Sequence, residues 1–231
     1  MSVEIEAVSV GQGVRSMRRG KPRGLYAFIT RALGKEILVL GPSTAGKSKF
    51  TEYLRLGTLD PEGQREMTYR VRKTPAFTVG LGREQGVTLK IRRAVDTPGQ
   101  VGPVEHAALV GRRKPHAVIV VLDSSKATVM TTMWLHLFCD RLDTVLRRRF
   151  TAKRRLSEVM VLLNKRDKID GADFNRLREE VAAVLQKHLA VVFGAERVRS
   201  IPIMECVSVQ TEEGPVLIDR VVSNLTERLA R

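Results

Sequence analysis

Residues 35–48 read Lys35-Glu36-Ile37-Leu38-Val39-Leu40-Gly41-Pro42-Ser43-Thr44-Ala45-Gly46-Lys47-Ser48. An apolar run, Ile37 to Leu40, ends in Gly41, and after four more residues comes Gly46-Lys47-Ser48. This is the spacing G-x-x-x-x-G-K-[ST] of a phosphate-binding loop, with a strand expected before it and a helix after it. Glycines let the backbone wrap closely round a phosphate chain and turn its N–H groups inward. The helix that follows points its positive N-terminal end at the same anion. The candidate phosphate-binding residues are Gly41, Ser43, Thr44, Ala45, Gly46, Lys47, Ser48 and Lys49. Lys47 is expected to reach the β- and γ-phosphates, and the Ser48 hydroxyl to ligate Mg²⁺. The plain alternative is a glycine turn between a strand and a helix.

At 231 residues the chain is long enough for one well-buried domain and too short for two full ones. Its longest apolar run, Ala117–Leu122, is far too short to span a membrane. The start, Met1-Ser2-Val3-Glu4, lacks a signal-peptide pattern and a glycine for myristoylation, and Leu229-Ala230-Arg231 is not a prenylation box. These readings give the expectation of a cytoplasmic protein whose membrane contact, if any, is peripheral. Cys139 and Cys206 sit in apolar surroundings and read as buried thiols, with no Cys or His partner at zinc-ligand spacing. The formal charge of +15 implies an anionic partner or surface beyond a single nucleotide.

Ahead of the phosphate loop, residues 1–34 read as a basic extension, with Arg15, Arg18, Arg19, Lys21 and Arg23 close together. Leu25, Ile29 and Leu33 recur every four residues beside Phe28, which predicts a short amphipathic helix closed by Gly34. That helix either packs on its own domain or inserts into an anionic membrane. Past the loop, a first core helix is expected over Ser48–Leu56 and a turn over Gly57–Gln64. Strands are expected at Met67–Gly80 and Val87–Val95, joined as a hairpin. Pro115–Asp123 and Glu158–Leu163 read as continuous apolar strands buried on both faces. Helices are expected over Ala127–Arg149, Ala172–Leu189 and Gly214–Leu229, and a last strand over Ile201–Val207. Strands alternating with helices argue for an α/β protein with a mostly parallel sheet and helices on both faces.

Three further motifs follow predicted strands. In Asp96-Thr97-Pro98-Gly99-Gln100, an aspartate can hold a Mg²⁺-bound water, Gly99 offers a backbone N–H to a γ-phosphate, and Gln100 lies next to the attacking water. In Asn164-Lys165-Arg166-Asp167, the carboxylate can accept both the ring N–H and the amino N–H of guanine. Adenine lacks that donor pair and would leave the carboxylate unpaired. The Lys165 stem can lie against the base face. Cys206-Val207-Ser208 closes the next strand, and its backbone N–H groups can bond the guanine carbonyl.

With these motifs in this order, the chain resembles the Ras-like small GTPases, and within them the Arf and Sar branch, over residues 25–231. Ala45-Gly46-Lys47 is like the Arf version of the loop, Cys206-Val207-Ser208 resembles its Cys-Ala-Thr, and the helix after Gly24 sits where Arf proteins keep a membrane-binding helix. The resemblance implies a P-loop GTPase fold with a six-stranded sheet, an extension over 1–34 and a GTPase domain over 35–231. It also implies a Mg²⁺-dependent GTP/GDP switch with slow hydrolysis, an effector, and an activating or exchange protein. Thr78-Val79-Gly80 looks like the Arf Thr-Ile-Gly, so Thr78 is expected to join Ser48 and Asp96 at the metal, with Thr74 as the runner-up. Lys47 and Gln100 are the expected catalytic residues. Leu56–Lys73 looks like an insertion relative to the family, and the proline of Asp96-Thr97-Pro98-Gly99 resembles the translation-associated GTPases.

A GTP-binding scaffold that barely hydrolyses is the alternative to the switch. A nucleotide kinase shares the phosphate loop but does not account for Asn164–Asp167. Arg70 and Arg72 offer an internal arginine finger, or are two exposed strand residues. The cluster Arg147-Arg148-Arg149 and Lys153-Arg154-Arg155 is a solvated face or, together with 15–35, a contact for anionic lipid. RNA is less favoured, because Phe150 is the cluster's single aromatic residue. For His106, His116, His136, His188 and Trp134, structural roles are expected.

Overall fold

The computed structural model describes residues 34–59, 71–80, 88–98 and 100–230. The basic run and amphipathic pattern before Gly34, Arg70, the loop 82–86 and Gly99 lie outside them. The strands are β1 Lys35–Leu40, β2 Arg72–Lys73, β3 Phe77–Gly80, β4 Thr88–Asp96, β5 Ala117–Asp123, β6 Glu158–Asn164 and β7 Ile203–Cys206. The longer helices are α1 Lys47–Leu56, α2 Pro103–Arg113, α3 Thr128–Arg148, α5 Gly171–Phe193 and α7 Gly214–Ala230. Two short ones, α4 Phe150–Arg155 and α6 Ala195–Arg199, follow α3 and α5.

The strands form one sheet in the order β2-β4-β1-β5-β6-β7, with β3 also paired to β4. β4, β1, β5, β6 and β7 are mutually parallel, and β2 and β3 run antiparallel to β4 at the edge. Along each central strand the side chains alternate between two cores. Leu38, Leu40, Val118, Val120, Leu122, Val161 and Leu163 face α2, α3 and α5. Ile37, Val39, Ile119, Val121, Met160 and Leu162 face α1 and α7. Burial on both faces is why these strands are continuously apolar rather than alternating.

The sheet has seven strands among the described residues, not six. The stretch expected as one strand is divided, because Pro75 has no N–H to give to the ladder. Beside it the Thr74 N–H donates to the Ala94 carbonyl at 2.9 Å, and the Thr74 hydroxyl accepts from the Ala94 N–H at 3.0 Å. A side chain thus replaces the main chain at the break. Three helices, α2, α4 and α6, fall where none was expected. α2 opens with Pro103 in its first turn, where the missing N–H costs nothing. Of the basic cluster, Arg147 and Arg148 end α3, within the helix expected there, whereas Lys153 to Arg155 end the unexpected α4. Cys139 and Cys206 are buried and free, as their surroundings suggested, and burial raises both thiols, Cys206 to about 11.

His116 precedes β5 and is 5% exposed. Its Nδ1 accepts the Glu36 N–H at 2.9 Å. Burial, then the charges of Arg155, Lys35 and Arg92, push its pKa down to about 3. An unfolded histidine near 6.5 binds protons that the folded ring refuses, so this ring's contribution is full above pH 6.5 and is lost as pH falls toward 3. The share attributable to His116 should be about 2 kcal/mol at pH 5 relative to pH 7.5. Urea unfolding at the two pH values should show it, and His116→Gln should flatten that part of the pH dependence.

Candidate functional site

The site lies at the carboxyl ends of the parallel strands, where β1 sits between strands that follow it on opposite sides. Ligands of open α/β sheets bind at such a switch point. Leu40, Asp96, Asp123, Asn164 and Cys206 end β1, β4, β5, β6 and β7, and each leads into one of the motif loops or their flanks. Register aligns them, with Val39 opposite Asp96, Asp123 opposite Asn164, and Asn164 opposite Cys206.

The phosphate loop is shaped by close approaches. Gly41 has φ of +143°, and a Cβ there would lie 2.0 Å from the Val121 carbonyl oxygen of β5. Gly46 has φ of +98°, and its Cβ would meet the Asn164 Nδ2 at 2.1 Å. Only glycine fits either place. Thr44 also adopts a left-handed conformation, at φ of 63°. Ala45 is buried, Ser43 is half-buried and Thr44 is exposed, while Lys49 stands in the first turn of α1.

Lys47 is 5% exposed, and its ammonium donates to the Pro42 carbonyl at 2.8 Å across the loop. Burial lowers its pKa to about 8, with the Asp96 charge opposing the shift. Ser48 donates its hydroxyl to Asp96 Oδ2 at 2.6 Å, and Asp96 is 2% exposed. One hydroxyl and one carboxylate side by side are hard oxygen donors and fit Mg²⁺, which keeps waters and takes its remaining ligands from phosphate. No group of three or more His, Cys, Asp or Glu fit to hold a metal occurs among the described residues. Thr97 fixes the next turn by donating to the Val39 carbonyl at 3.0 Å. Gln100 is exposed just before α2.

Asn164 ties the other loops to this one. Its Nδ2 donates to the Ala45 carbonyl at 2.8 Å, and its Oδ1 accepts the Ser208 N–H and hydroxyl, each at 3.0 Å. Lys165, in a left-handed conformation at φ of 65°, sends its ammonium to Asp123 Oδ2 at 2.5 Å. Burial alone would raise the Asp123 pKa, but Lys165 and the Ser125 hydroxyl and N–H hold it below the usual value. Asp167 is exposed on the short 3-10 helix Arg166–Lys168. Val207 is fully buried between Cys206 and Ser208.

The structure thus gathers the phosphate loop, Asp96, Asn164 to Asp167 and Cys206 to Ser208. It does not gather Thr78, which stands opposite Lys90 on β4. Lys90 stands six positions before Asp96, roughly 20 Å along a strand. Arg72 is the residue opposite Asp96, and Thr74, beside Ala94, lies nearer that end than Thr78. The Ser208 N–H, expected at a guanine carbonyl, is already given to Asn164. Sequence reading missed Asp123 and Ser124, whose hydroxyl donates to the Asn164 carbonyl at 2.6 Å. Their signal was an acidic and polar pair closing the longest apolar run.

No protein-family model matches the chain, and no curated protein matches it. Solved structures do. The β subunit of the signal recognition particle receptor from Chaetomium thermophilum, solved with GTP in complex with SRX, matches with TM-score 0.55 and 17% identity, over 84% of this chain and 99% of that one. The Methanosarcina barkeri Roco2 RocCORdC structure, bound to GDP, matches with TM-score 0.51 and 21% identity, over 84% of this chain and 48% of that one. The elongation factor SelB from Methanococcus maripaludis, in complex with a GTP analogue, matches with TM-score 0.52 and 14% identity, over 86% of this chain and 34% of that one. The chain thus spans about half of the Roco chain and a third of SelB. The fold is that of the P-loop GTPases, a mostly parallel sheet with helices on both faces. These neighbours do not single out the Arf and Sar branch.

Two outcomes follow from this geometry. A bound phosphate chain favours the charged ammonium, so affinity for a nucleoside triphosphate should fall about tenfold between pH 7 and pH 9 as Lys47 loses its proton in the free protein. Titrations across that range would show it, and Lys47→Arg should remove the trend. Asn164→Ala should cost about 3 kcal/mol in urea unfolding, because it strands the Ala45 carbonyl and the Ser208 N–H in a dry site.

Proposed function

We propose that the chain binds guanine nucleotide with Mg²⁺, hydrolyses GTP slowly to GDP, and acts as a molecular switch that recruits a partner protein in its GTP form. The observation that carries this reading is the Asn164 clamp, which holds a loop suited to guanine against a loop suited to phosphate. Lys47 neutralises charge developing on the phosphates. Ser48 and Asp96 hold the Mg²⁺, which supplies further charge neutralisation when bound. Thr78 is not carried into this assignment, because it stands at the far end of β4. Gln100 and Gly99 are assigned to the attacking water and the terminal phosphate. Phosphoryl transfer needs such positioning more than covalent chemistry, and turnover without outside help is on the order of 10⁻⁴ s⁻¹.

Asp167 accepts from the guanine ring and amino groups, and Lys165 lays its stem on the base while Asp123 anchors its ammonium. With the Ser208 N–H engaged, Val207 is left to offer its N–H to the guanine carbonyl. Effector, activating and exchange proteins belong to this reading, supported by the solved receptor subunit being in complex with SRX. The second reading, a scaffold that hydrolyses poorly, is favoured by the distance of Thr78 from Ser48 and Asp96. Equilibrium binding of GTP, GDP and ATP, with phosphate release followed in parallel, tests both. Guanine selectivity of at least a hundredfold, lost in Asp167→Asn, is expected, and ATP binding as tight as GTP binding would sink the assignment. Phosphate release at the slow rate supports the switch, whereas none supports the scaffold.

The charge points to an anionic membrane at the other end of the sheet. α3 leaves β5 beside the site and runs back, so Arg147, Arg148 and the α4 cations gather where β1 and β6 begin. Phe150 stands among them 70% exposed. β1 begins with Lys35 at that same end, and the basic stretch 15–35 precedes it in the sequence. No helix among the described residues is long and apolar enough to cross a membrane, so the contact proposed is peripheral, on the cytoplasmic face. Each basic residue near such a surface contributes about 1 kcal/mol. Sedimentation with phosphatidylserine vesicles, but not with phosphatidylcholine vesicles, is expected, and it should weaken at least tenfold when Arg148→Glu and Phe150→Ala are combined.

A further inference from the structure

His106 sits in the first half of α2 and is 0% exposed. Its Nε2 lies 3.3 Å from the Pro98 carbonyl oxygen. A carbonyl can only accept, so Nε2 carries the proton and Nδ1 is bare. That Nδ1 is buried and has no hydrogen-bond partner. The same Pro98 oxygen takes the Val101 N–H at 3.3 Å, closing the turn that contains Gln100. On its other side the imidazole meets Trp134 of α3 at 5.7 Å between centroids, and Trp134 stacks on Phe138 at 5.4 Å.

We propose that His106 is a positioning residue that ties α2 to the loop after Asp96 and so sets the preference of the site for GTP over GDP. The inference deepens the switch reading above and rests on it. A donor that fixes the Pro98 carbonyl, which also takes the Val101 N–H, fixes the turn that follows Asp96, and that turn is the one assigned above to the terminal phosphate. GDP has no such phosphate, so the tie acts on one nucleotide and not the other.

The tie needs a neutral ring. A second cation beside Lys47 would weaken phosphate binding through repulsion and would remove the lone pair from Nδ1. Burial, and then the Lys47 charge, push the His106 pKa down to about 4, with the Pro98 carbonyl and Glu105 pulling the other way. The charges acting on the ring are those of Lys47 and Glu105, and from α3 it is the Trp134 ring that meets it. The ring is therefore neutral throughout pH 6–8, and its effect on nucleotide preference is constant over that range.

Trp134 is the chain's single tryptophan, which makes its emission a reporter of this contact. The experiment uses the full chain with Mg²⁺, displacing a fluorescent GDP with either GDP or a non-hydrolysable GTP analogue. His106→Phe keeps ring bulk against Trp134 and removes the donor, while His106→Gln returns an N–H. Affinity for the GTP analogue should fall about tenfold in the Phe variant, the worth of one hydrogen bond in a dry site. GDP affinity should stay within about twofold, and the Gln variant should recover most of the loss. In the wild type, Trp134 emission should differ between the two nucleotide forms. Equal losses for both nucleotides would make His106 merely structural and overturn the inference. Should His106→Phe fail to fold, wild-type emission that ignores the exchange of GDP for the analogue overturns it equally. Wild-type protein that binds neither nucleotide overturns the switch reading itself, and this inference with it.

Discussion

A single buried amide holds the site together. Asn164 is 2% exposed and spends both ends of its side chain, one on the Ala45 carbonyl and the other on Ser208. Three loops from three strands meet on it. Its neighbour across the contact has to be glycine, because a Cβ at Gly46 would overlap the amide nitrogen. The familiar glycine of the phosphate loop thus has two causes here, one in the backbone conformation it adopts and one in the asparagine more than a hundred residues away. The amide's desolvation is offset only if every partner is present, so the contact selects one arrangement of the loops over looser ones.

Where a motif's chemistry demands residue types at fixed spacing, the site could be read from the chain. Gly41 to Ser48, Asp96 and Asn164 to Asp167 are of this kind, and so are the apolar runs that became β1, β5 and β6. Register was not legible. Alternation over Met67–Gly80 suits a strand, but nothing in it says which residue stands opposite Asp96, and a shift of six positions separates Thr78 from that place. The Pro75 break could have been read from its missing N–H, whereas the rescue of the Ala94 N–H by the Thr74 side chain is a tertiary event. Asp123 was passed over because an acid at the end of a strand is ordinary. Its meaning comes from Lys165, which reaches it from the neighbouring strand's loop.

Lys47 and Lys165 each have an oxygen partner within the chain. Lys47 donates to its own loop at Pro42, and Lys165 is paired with Asp123. In the guanine reading Lys165 would keep this partner with a base on its stem, so the contact would be built in advance and lose little freedom on binding. Lys47 must exchange a carbonyl for phosphate oxygens. Its depressed pKa shows how poorly the carbonyl and the nearby Asp96 compensate its burial, which leaves a cation that gains strongly from an anion.

The two halves of the site are held differently. The base half hangs on Asn164 with its hydrogen bonds of 2.8 and 3.0 Å, reinforced by Ser124 and by the Asp123–Lys165 pair. The other half, after Asp96, is held by Thr97 at 3.0 Å and then by two bonds of 3.3 Å that share the Pro98 oxygen. Longer bonds to a shared acceptor are weaker and break more readily. The asymmetry suits the switch proposed above, in which one part would grip the nucleotide whatever its phosphate count and the other would be biased by a single phosphate. α2 is joined to the second part through His106, and the same ring meets Trp134 of α3, so one buried side chain touches the loop after Asp96 and the neighbouring helix at once.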